Sequence, residues 1–229
     1  MKKTIVIIAI IPLLITAIAI QFLPSEVPTH FGLNGSPDGY GSKYVYFIAP
    51  IIALLLALFW LWILYRMERK CKKASSREIE SYKSNSKVLC IVAVLNISLL
   101  SAVHLYLLFK MAFFKEGAIE NLDIDVFKLS SLLSGIMFII AGNYLPKTKR
   151  NDNIGLRISW SEYNDVTWQK SNYFCGVTFI IAGLVTIIST AFCGSYIILL
   201  LMLLYLSCAI AVSLTYAHKV YQQELNNKE

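Results

Sequence analysis

The stretch Tyr44–Tyr65, YVYFIAPIIALLLALFWLWILY, contains no Asp, Glu, Lys or Arg. A helix of about 20 mostly apolar residues crosses a hydrocarbon core roughly 30 Å thick. Helices and closed barrels are the structures that satisfy every backbone hydrogen bond in lipid. This stretch therefore predicts a membrane-spanning helix.

Five further stretches have the same length and character, namely Thr4–Leu23, Val88–Phe109, Val126–Leu145, Ser171–Phe192 and Ile197–Ala217. The composition agrees, because 57% of the 229 residues are hydrophobic and 15% are charged, with a mean hydropathy of +0.61. Soluble domains are about 45–50% apolar and about 25% charged. These values exclude a disordered chain and an ordinary water-soluble enzyme. The sequence predicts an all-α polytopic membrane protein with six transmembrane helices.

The first stretch also has two features of a signal peptide. Lys2 and Lys3 precede an apolar run, and the triplet at 17–19 has the small-x-small form of a cleavage site. The apolar run continues beyond that triplet to Leu23, which favours a retained helix. Cleavage stays the alternative, and it would leave the orientation of the other five spans unchanged.

The distribution of basic residues predicts the orientation. Cytoplasmic loops of membrane proteins carry an excess of Lys and Arg. Seventeen of the 21 Lys and Arg residues fall on the side that holds both termini and the segments 66–87 and 146–170, and three fall on the opposite side. Both termini are therefore predicted to be cytoplasmic. This bias accounts for the net charge of +7 without direct nucleic acid binding.

The spacing of the spans predicts four parts: an N-terminal two-helix module at 1–65 with an ordered outer loop at 24–43, a basic cytoplasmic loop at 66–87, a four-helix region at 88–217 with an inner loop at 146–170, and a cytoplasmic tail at 218–229. The basic loop is typical of a solvated or headgroup-facing connector, and a surface that docks a cytosolic partner is the alternative. Only four residues separate the last two spans, so these helices are expected to form a tight antiparallel hairpin.

The outer loop is rich in turn residues. Asn34-Gly35 and the Pro-Asp-Gly at 37–39 are strong turn signals, so we expect a compact ordered loop folded back on the helix ends. His30, Asp38 and Gly39 are its candidate functional residues. His30 and Asp38 lack the third partner and the fixed spacing that a catalytic or metal pair needs.

The inner loop contains a second set of structural signals. Pro146 ends the fourth span, and Ser159–Glu162 has the S-x-x-E form of a capping box, which predicts that a helix starts there. That helix would carry Tyr163 and Trp168 at headgroup depth, where aromatic side chains are favoured. Membrane anchoring is one interpretation of this loop. A folded inner platform that binds a partner is the other.

The predicted spans contain little reactive chemistry. All 14 acidic residues fall outside them, whereas ion-coupled transporters usually keep a carboxylate in the bundle. His104, with Asn96 and Ser101 on the same face, indicates interhelical hydrogen bonding. The sequence has no H-E-x-x-H, G-x-S-x-G or C-x-x-C motif. It therefore predicts no enzyme, no metal and no cofactor.

Small residues predict how two of the helices pack. They recur at four- or seven-residue spacing, which keeps them on one face of each helix. The residues are Ser131, Gly135 and Gly142 in the fourth span and Gly176, Gly183 and Thr190 in the fifth. We expect these two helices to pack closely on either side of the inner loop.

One set of residues in the inner loop has a specific pattern: Leu145-Pro146-Lys147-Thr148-Lys149, Asn151, Ile154-Gly155-Leu156-Arg157, Trp160, Trp168 and Lys170. This pattern resembles the signature of SdpI-type proteins. Residues 23–31 and 37–43 resemble the uncharacterised N-terminal module that often accompanies it. The chain departs from the family at 158–161, where Thr-Pro-Trp-Thr is usual, and at 170–173, where a Lys-Thr-His-Arg-like run is usual.

The resemblance implies a bacterial immunity protein of the cell membrane that protects the producing cell from a secreted antimicrobial peptide toxin. In the best-known member it also implies recruitment of a cytosolic transcriptional repressor. The expected partners are therefore the lipid bilayer, a peptide toxin and such a repressor. The inner loop is the predicted partner-binding or switching site, with Asn151, Gly155, Arg157, Trp160 and Trp168 as its candidate residues. A small membrane transporter and a signalling scaffold without toxin specificity are the alternatives.

Overall fold

Six long helices dominate the computed structural model, which describes residues 2–32, 37–112, 126–151 and 153–227. They are α1 (Lys2–Ala19), α2 (Ile48–Cys71), α3 (Ser76–Ala112), α4 (Val126–Tyr144), α5 (Asp165–Phe192) and α6 (Ser195–Asn226). All six are long and apolar enough to cross a membrane. The prediction of a six-span helical membrane protein is confirmed.

The helices pack as two groups of three. α1, α2 and α3 share an apolar core that includes Ile5, Leu64 and Ile97. α4, α5 and α6 pack on one another, and α3 also contacts α4. Since α3 shares its core with α1 and α2 and also contacts α4, this helix connects the two groups.

The predicted basic loop at 66–87 is largely helical instead. α2 continues to Cys71, and α3 begins at Ser76. The backbone N–H and the hydroxyl of Ser75 donate to the Glu78 carboxylate at 2.9 and 2.7 Å. This contact is half of a capping box. Likewise, α6 continues to Asn226, so most of the predicted tail at 218–229 is helical.

The small residues of α4 and α5 do face each other. A Cβ added to Gly142 would lie 2.5 Å from the carbonyl oxygen of Gly176, and one added to Gly183 would lie 2.5 Å from that of Gly135. Such distances require the absence of side chains at these positions. The predicted close packing of these two helices is confirmed.

Hydrogen bonds inside the bundle confirm two more predictions. Thr16 Oγ1 lies 2.8 Å from His104 Nε2, and the Ser101 hydroxyl donates to the Ile8 carbonyl at 3.4 Å, so His104 and Ser101 of α3 bond to α1. Thr178 Oγ1 and Ser213 Oγ are 2.9 Å apart, as expected for an antiparallel α5–α6 hairpin.

The connection between α1 and α2 is a β-hairpin. β1 (Glu26–Phe31) pairs antiparallel with β2 (Pro37–Ser42), and a 3₁₀ turn at Lys43–Phe47 leads into α2. Val27 is buried and packs with Leu23, Tyr46, Leu108 and Met111, which fixes the hairpin on the ends of the helices. The expected ordered loop is confirmed, although its strands were not predicted, because Gly and Pro are depleted in strands. The predicted turn at Asn34-Gly35 lies outside the described residues.

Candidate functional site

The segment between α4 and α5, of which the structure describes residues 147–151 and 153–164, folds into a compact unit that we term the platform. Its first turn is closed by the Thr148 hydroxyl, which donates to the Leu145 carbonyl at 2.7 Å. The Thr148 carbonyl in turn accepts a hydrogen bond from Trp168 Nε1 at 2.9 Å. Trp168 is buried within the protein, with only 2% of its surface exposed. Its indole fastens the platform to α5 from within the protein.

The extension of α3 beyond the apolar span supports the platform from a second direction. The Asn85 side chain donates to the Lys149 carbonyl and accepts from the Lys149 backbone N–H, both at 3.1 Å. Ser84 Oγ donates to the Lys147 carbonyl at 3.1 Å, and Lys149 Nζ lies 2.8 Å from the Glu80 carboxylate. The platform is thus attached to the first helical group as well as the second.

Asn151 shapes the next turn through its side-chain amide. Its oxygen accepts from the backbone N–H groups of Asn153 and Ile154 at 2.7 and 2.8 Å. Its nitrogen donates to the carbonyls of Lys149 and Ile154 at 2.6 and 2.9 Å. An amide has two donors and two acceptor positions, so these bonds use its full capacity. Asn151 therefore builds the platform and leaves no free group for a ligand.

Gly155 passes against the buried face of α5. Its φ is +121°, and a Cβ there would lie 2.7 Å from both Asn172 Oδ1 and Trp168 Cζ2. Residues with side chains rarely adopt such a conformation, so this turn suits a glycine. Asn172 Oδ1 accepts from the Leu156 N–H at 2.7 Å. Asn172 lies in the segment 170–173, where the chain departs from the family pattern. In this chain its side chain forms a hydrogen bond with the platform.

The start of α5 differs from the prediction. The Asn164 side chain accepts from the Thr167 N–H, and the Thr167 hydroxyl accepts from the Asn164 N–H, which makes a capping box one turn later than expected. Ser159–Glu162 does not start a helix. Ser161 is buried, and its hydroxyl is committed to the carbonyls of Leu156 and Ile158.

Two arginines form the polar surface of the platform. Arg157 Nε lies 3.2 Å from the Glu162 carboxylate. Arg150 donates to the Glu162 carbonyl at 3.3 Å and lies 3.6 Å from the Asp165 carboxylate. With Asn151 and Glu162, the two arginines line an open cavity of about 300 Å³. This is the part of the platform best suited to bind an acidic group.

The end of α6 closes the other side of the platform. The rings of Trp160 and His218 are 4.6 Å apart, and those of Tyr163 and Tyr221 are 5.1 Å apart. Asn164 Nδ2 donates to the Glu224 carboxylate at 3.2 Å, and Lys170 Nζ lies 3.6 Å from the same carboxylate. Trp160 is therefore half-buried against α6.

The five predicted residues thus divide into two sets. Asn151, Gly155 and Trp168 hold the fold of the platform, whereas Arg157 and Trp160 lie at its surface. Sequence reasoning missed several residues that position the platform, namely Asn85, Thr148, Ser161, Asn172, His218 and Glu224. The S-x-x-E at residues 75–78 could have revealed the helix that carries Asn85, since it predicts a helix start in the polar segment.

The candidate functional residues of the β-hairpin lie at the end of the bundle opposite the platform. His30 Nδ1 and Asp38 Oδ1 are in contact, and both side chains are exposed. Gly39 is the cross-strand partner of His30, and a Cβ there would lie 3.1 Å from His30 Cβ. Within the described residues, no group of three or more His, Cys, Asp or Glu side chains is placed to hold a metal ion.

The six spans and the platform between α4 and α5 define a multi-pass cell membrane protein with a structured, charged unit at one end. Residues 147–217 match the SdpI/YfhL protein family, and residues 7–54 match a domain of unknown function, DUF1648. The chain is 26% identical over 228 residues to "Immunity protein SdpI" of Bacillus subtilis (strain 168), with 99% of each chain covered. No solved structure matches the chain. These matches confirm the resemblance to SdpI-type proteins, and to the N-terminal module that accompanies them, that was predicted from the sequence.

Proposed function

We propose that this protein protects its cell against a secreted antimicrobial peptide that acts at the membrane. The observation that carries the proposal is the match to an immunity protein over 99% of both chains, which includes the platform and the hairpin. The family is one of immunity membrane proteins and not a known enzyme family, so the proposed protection needs no cleavage of the peptide.

We propose further that the platform is the recognition or switching surface. It is bonded to α3 through Asn85 and packed on α6 through Trp160. A change in how the two helical groups pack would therefore alter the platform directly. Arg157 offers a planar set of donors to an acidic group of a partner. Recruitment of a cytosolic repressor would use this same surface.

The proposed orientation places the platform and both termini in the cytoplasm and the β-hairpin outside. Seventeen of the 21 basic residues support it. The hairpin would then meet a secreted peptide first, whereas the platform would face cytosolic partners. In this arrangement the helices connect a peptide outside to a response inside.

The test is expression in a bacterium that is sensitive to membrane-active peptides, with growth measured against a panel of such peptides. We expect increased tolerance to at least one of them, with the peptide recovered intact by mass spectrometry. An Arg157→Ala and Trp160→Ala double variant at equal membrane abundance is the control. Unchanged tolerance across the panel would contradict the immunity proposal. Cleavage of the peptide by the purified protein would contradict the proposal that protection needs no cleavage.

A further inference from the structure

The last three turns of α2 present a binding face that is separate from the cavity lined by Arg150 and Arg157. Trp62, Arg66 and Lys70 follow one another at four-residue spacing, which places them on one side of the helix. The Arg66 guanidinium lies over the Trp62 ring, with its central carbon 4.9 Å from the ring centroid. An aromatic ring and two cations thus follow in order from the apolar span toward the end of the bundle.

This face forms one wall of a cavity of about 200 Å³, and the platform forms the other. The lining residues are Trp62, Ile63, Arg66, Met67, Lys70 and Asn153. A guanidinium, an ammonium and a side-chain amide all supply N–H donors, and the first two are cationic. The cavity is therefore suited to a small anion that carries several acceptor oxygens, such as a phosphate.

Arg66 differs from the platform arginines in its pairing. Arg157 has Glu162 and Arg150 has Asp165 as acidic partners. Among the residues that the structure describes, Arg66 has no ion pair with an Asp or Glu, and its contact is with the Trp62 ring. An anion in the cavity would complete the coordination of this guanidinium without first displacing a carboxylate.

The surface that continues from the cavity along α2 is apolar. Leu58 lies one turn before Trp62, and Leu55 lies about one turn earlier; they are 63% and 60% exposed. Trp favours the depth where hydrocarbon meets the headgroups. A ligand that fills this whole surface has an anionic head and hydrocarbon chains, which a soluble phosphate or an acidic peptide lacks.

We propose that the cavity binds the phosphate of an anionic membrane phospholipid, with its acyl chains lying along Leu55 and Leu58. Arg66 and Lys70 provide the positive charge, Asn153 donates from the platform, and Trp62 marks the boundary between head and chains. The bound lipid bridges α2 and the platform. This inference does not depend on protection against a toxin or on the orientation of the chain.

The experiment uses the full-length protein, purified in detergent and analysed by native mass spectrometry with equal concentrations of phosphatidylglycerol or phosphatidylcholine. We expect preferential retention of phosphatidylglycerol. A basic residue near an anionic lipid surface contributes about 1 kcal/mol, so Arg66→Gln should lower this retention about fivefold. Arg66→Lys keeps the charge but loses the planar set of N–H donors, so it should give an intermediate retention of phosphatidylglycerol.

Arg69→Gln is the matched control, because it removes the same charge from the same helix. Arg69 does not line the cavity, and its guanidinium lies 5.8 Å from the Tyr65 ring. Equal loss of lipid in Arg66→Gln and Arg69→Gln would overturn the proposal in favour of diffuse surface charge. If Arg66→Gln does not fold, Asn153→Ala tests the opposite wall, and unchanged retention in a folded Asn153→Ala protein would also overturn it.

Competing ligands show which class of anion the cavity binds. Inorganic phosphate and a hexaglutamate peptide should leave phosphatidylglycerol bound, since neither covers the apolar surface of α2. Displacement by millimolar phosphate would show a site for free phosphate, and displacement by the peptide would show a site for an acidic partner protein. Either displacement would overturn the assignment to a phospholipid.

Discussion

Asn85 on α3 and Lys149 on the platform form a reciprocal pair, in which the side-chain amide of Asn85 both donates to and accepts from the backbone of Lys149 at 3.1 Å. Asn85 is buried, so neither bond is readily replaced by water. This pair attaches the platform to the first helical group, while the Trp168–Thr148 bond attaches it to the second. The platform therefore depends on both groups for its position.

Asn85→Asp tests this attachment. The carboxylate still accepts from the Lys149 N–H, but it cannot donate to the Lys149 carbonyl, which is left without its partner. Loss of one partner of a buried hydrogen bond costs about 1–3 kcal/mol. We expect a lower midpoint of thermal unfolding in detergent and reduced protection against the peptide. Ser84→Ala, which removes one exposed bond to the Lys147 carbonyl, should have a smaller effect. Equal effects of the two changes would contradict the special role of Asn85.

Gly142→Ala tests the contact between α4 and α5. The new Cβ would lie 2.5 Å from the Gly176 carbonyl oxygen, so the helices would have to separate. Overpacking of this kind costs about 1–3 kcal/mol. We expect a lower midpoint of thermal unfolding. Gly194→Ala is the control, because a Cβ there meets nothing within 4 Å. An unchanged midpoint for Gly142→Ala would show that the interface adapts.

The sequence predicted the spans and the α4–α5 contact because both depend on local patterns. An uncharged run such as Tyr44–Tyr65 identifies a helix in lipid, and glycines at seven-residue spacing identify a close contact. The polar first turns of α3 carry no apolar run. The local pattern therefore predicts a loop in this segment, although α3 begins at Ser76.

The site was predicted less completely, because its geometry depends on residues distant in the sequence. The family pattern points to Gly155, but the contact of Gly155 with Asn172 depends on the folded chain. The residue type of Trp168 predicts headgroup depth but does not indicate which parts of the protein cover its ring. Trp168 is buried and bonds to Thr148, 20 residues earlier, a contact that no local pattern indicates.

Two native cysteines allow a direct test of the proposed orientation. Cys71 ends α2 at the platform end of the bundle, and Cys193 lies in the turn between α5 and α6 at the other end; both are partly accessible. We expect a membrane-impermeant maleimide to label Cys193 in intact cells and Cys71 only after permeabilisation. Cys71→Ser and Cys193→Ser variants assign the labelled site. Labelling of Cys71 in intact cells would reverse the orientation.

Trp160 gives a graded test of the surface between the platform and α6. Its ring lies 4.6 Å from the His218 ring, so Trp160→Phe keeps an aromatic contact and Trp160→Ala removes it. If Trp160 acts as an apolar anchor alone, the Phe variant should protect as well as the wild type. If the indole is part of a recognition surface, both variants should reduce protection at matched membrane abundance. Wild-type protection by Trp160→Ala would remove this residue from the site.

Substitutions of Arg157 and Glu162 distinguish a structural ion pair from a recognition site. Their contact of 3.2 Å is partly exposed, and exposed pairs contribute about 0–1 kcal/mol to stability. If pairing is the whole role of Arg157, then Arg157→Gln and Glu162→Gln break the same contact and should reduce protection equally.

If Arg157 donates to an acidic partner, the two changes should differ. Arg157→Gln removes the donor and should reduce protection, whereas Glu162→Gln frees the guanidinium and should preserve or increase it. Arg157→Lys keeps the charge but loses bidentate bonding, so it should also reduce protection. The measurement is peptide tolerance at matched membrane abundance, with thermal unfolding of each purified protein as the check on folding. Wild-type tolerance in Arg157→Ala would refute the assignment of Arg157 and leave it as a surface residue of the platform.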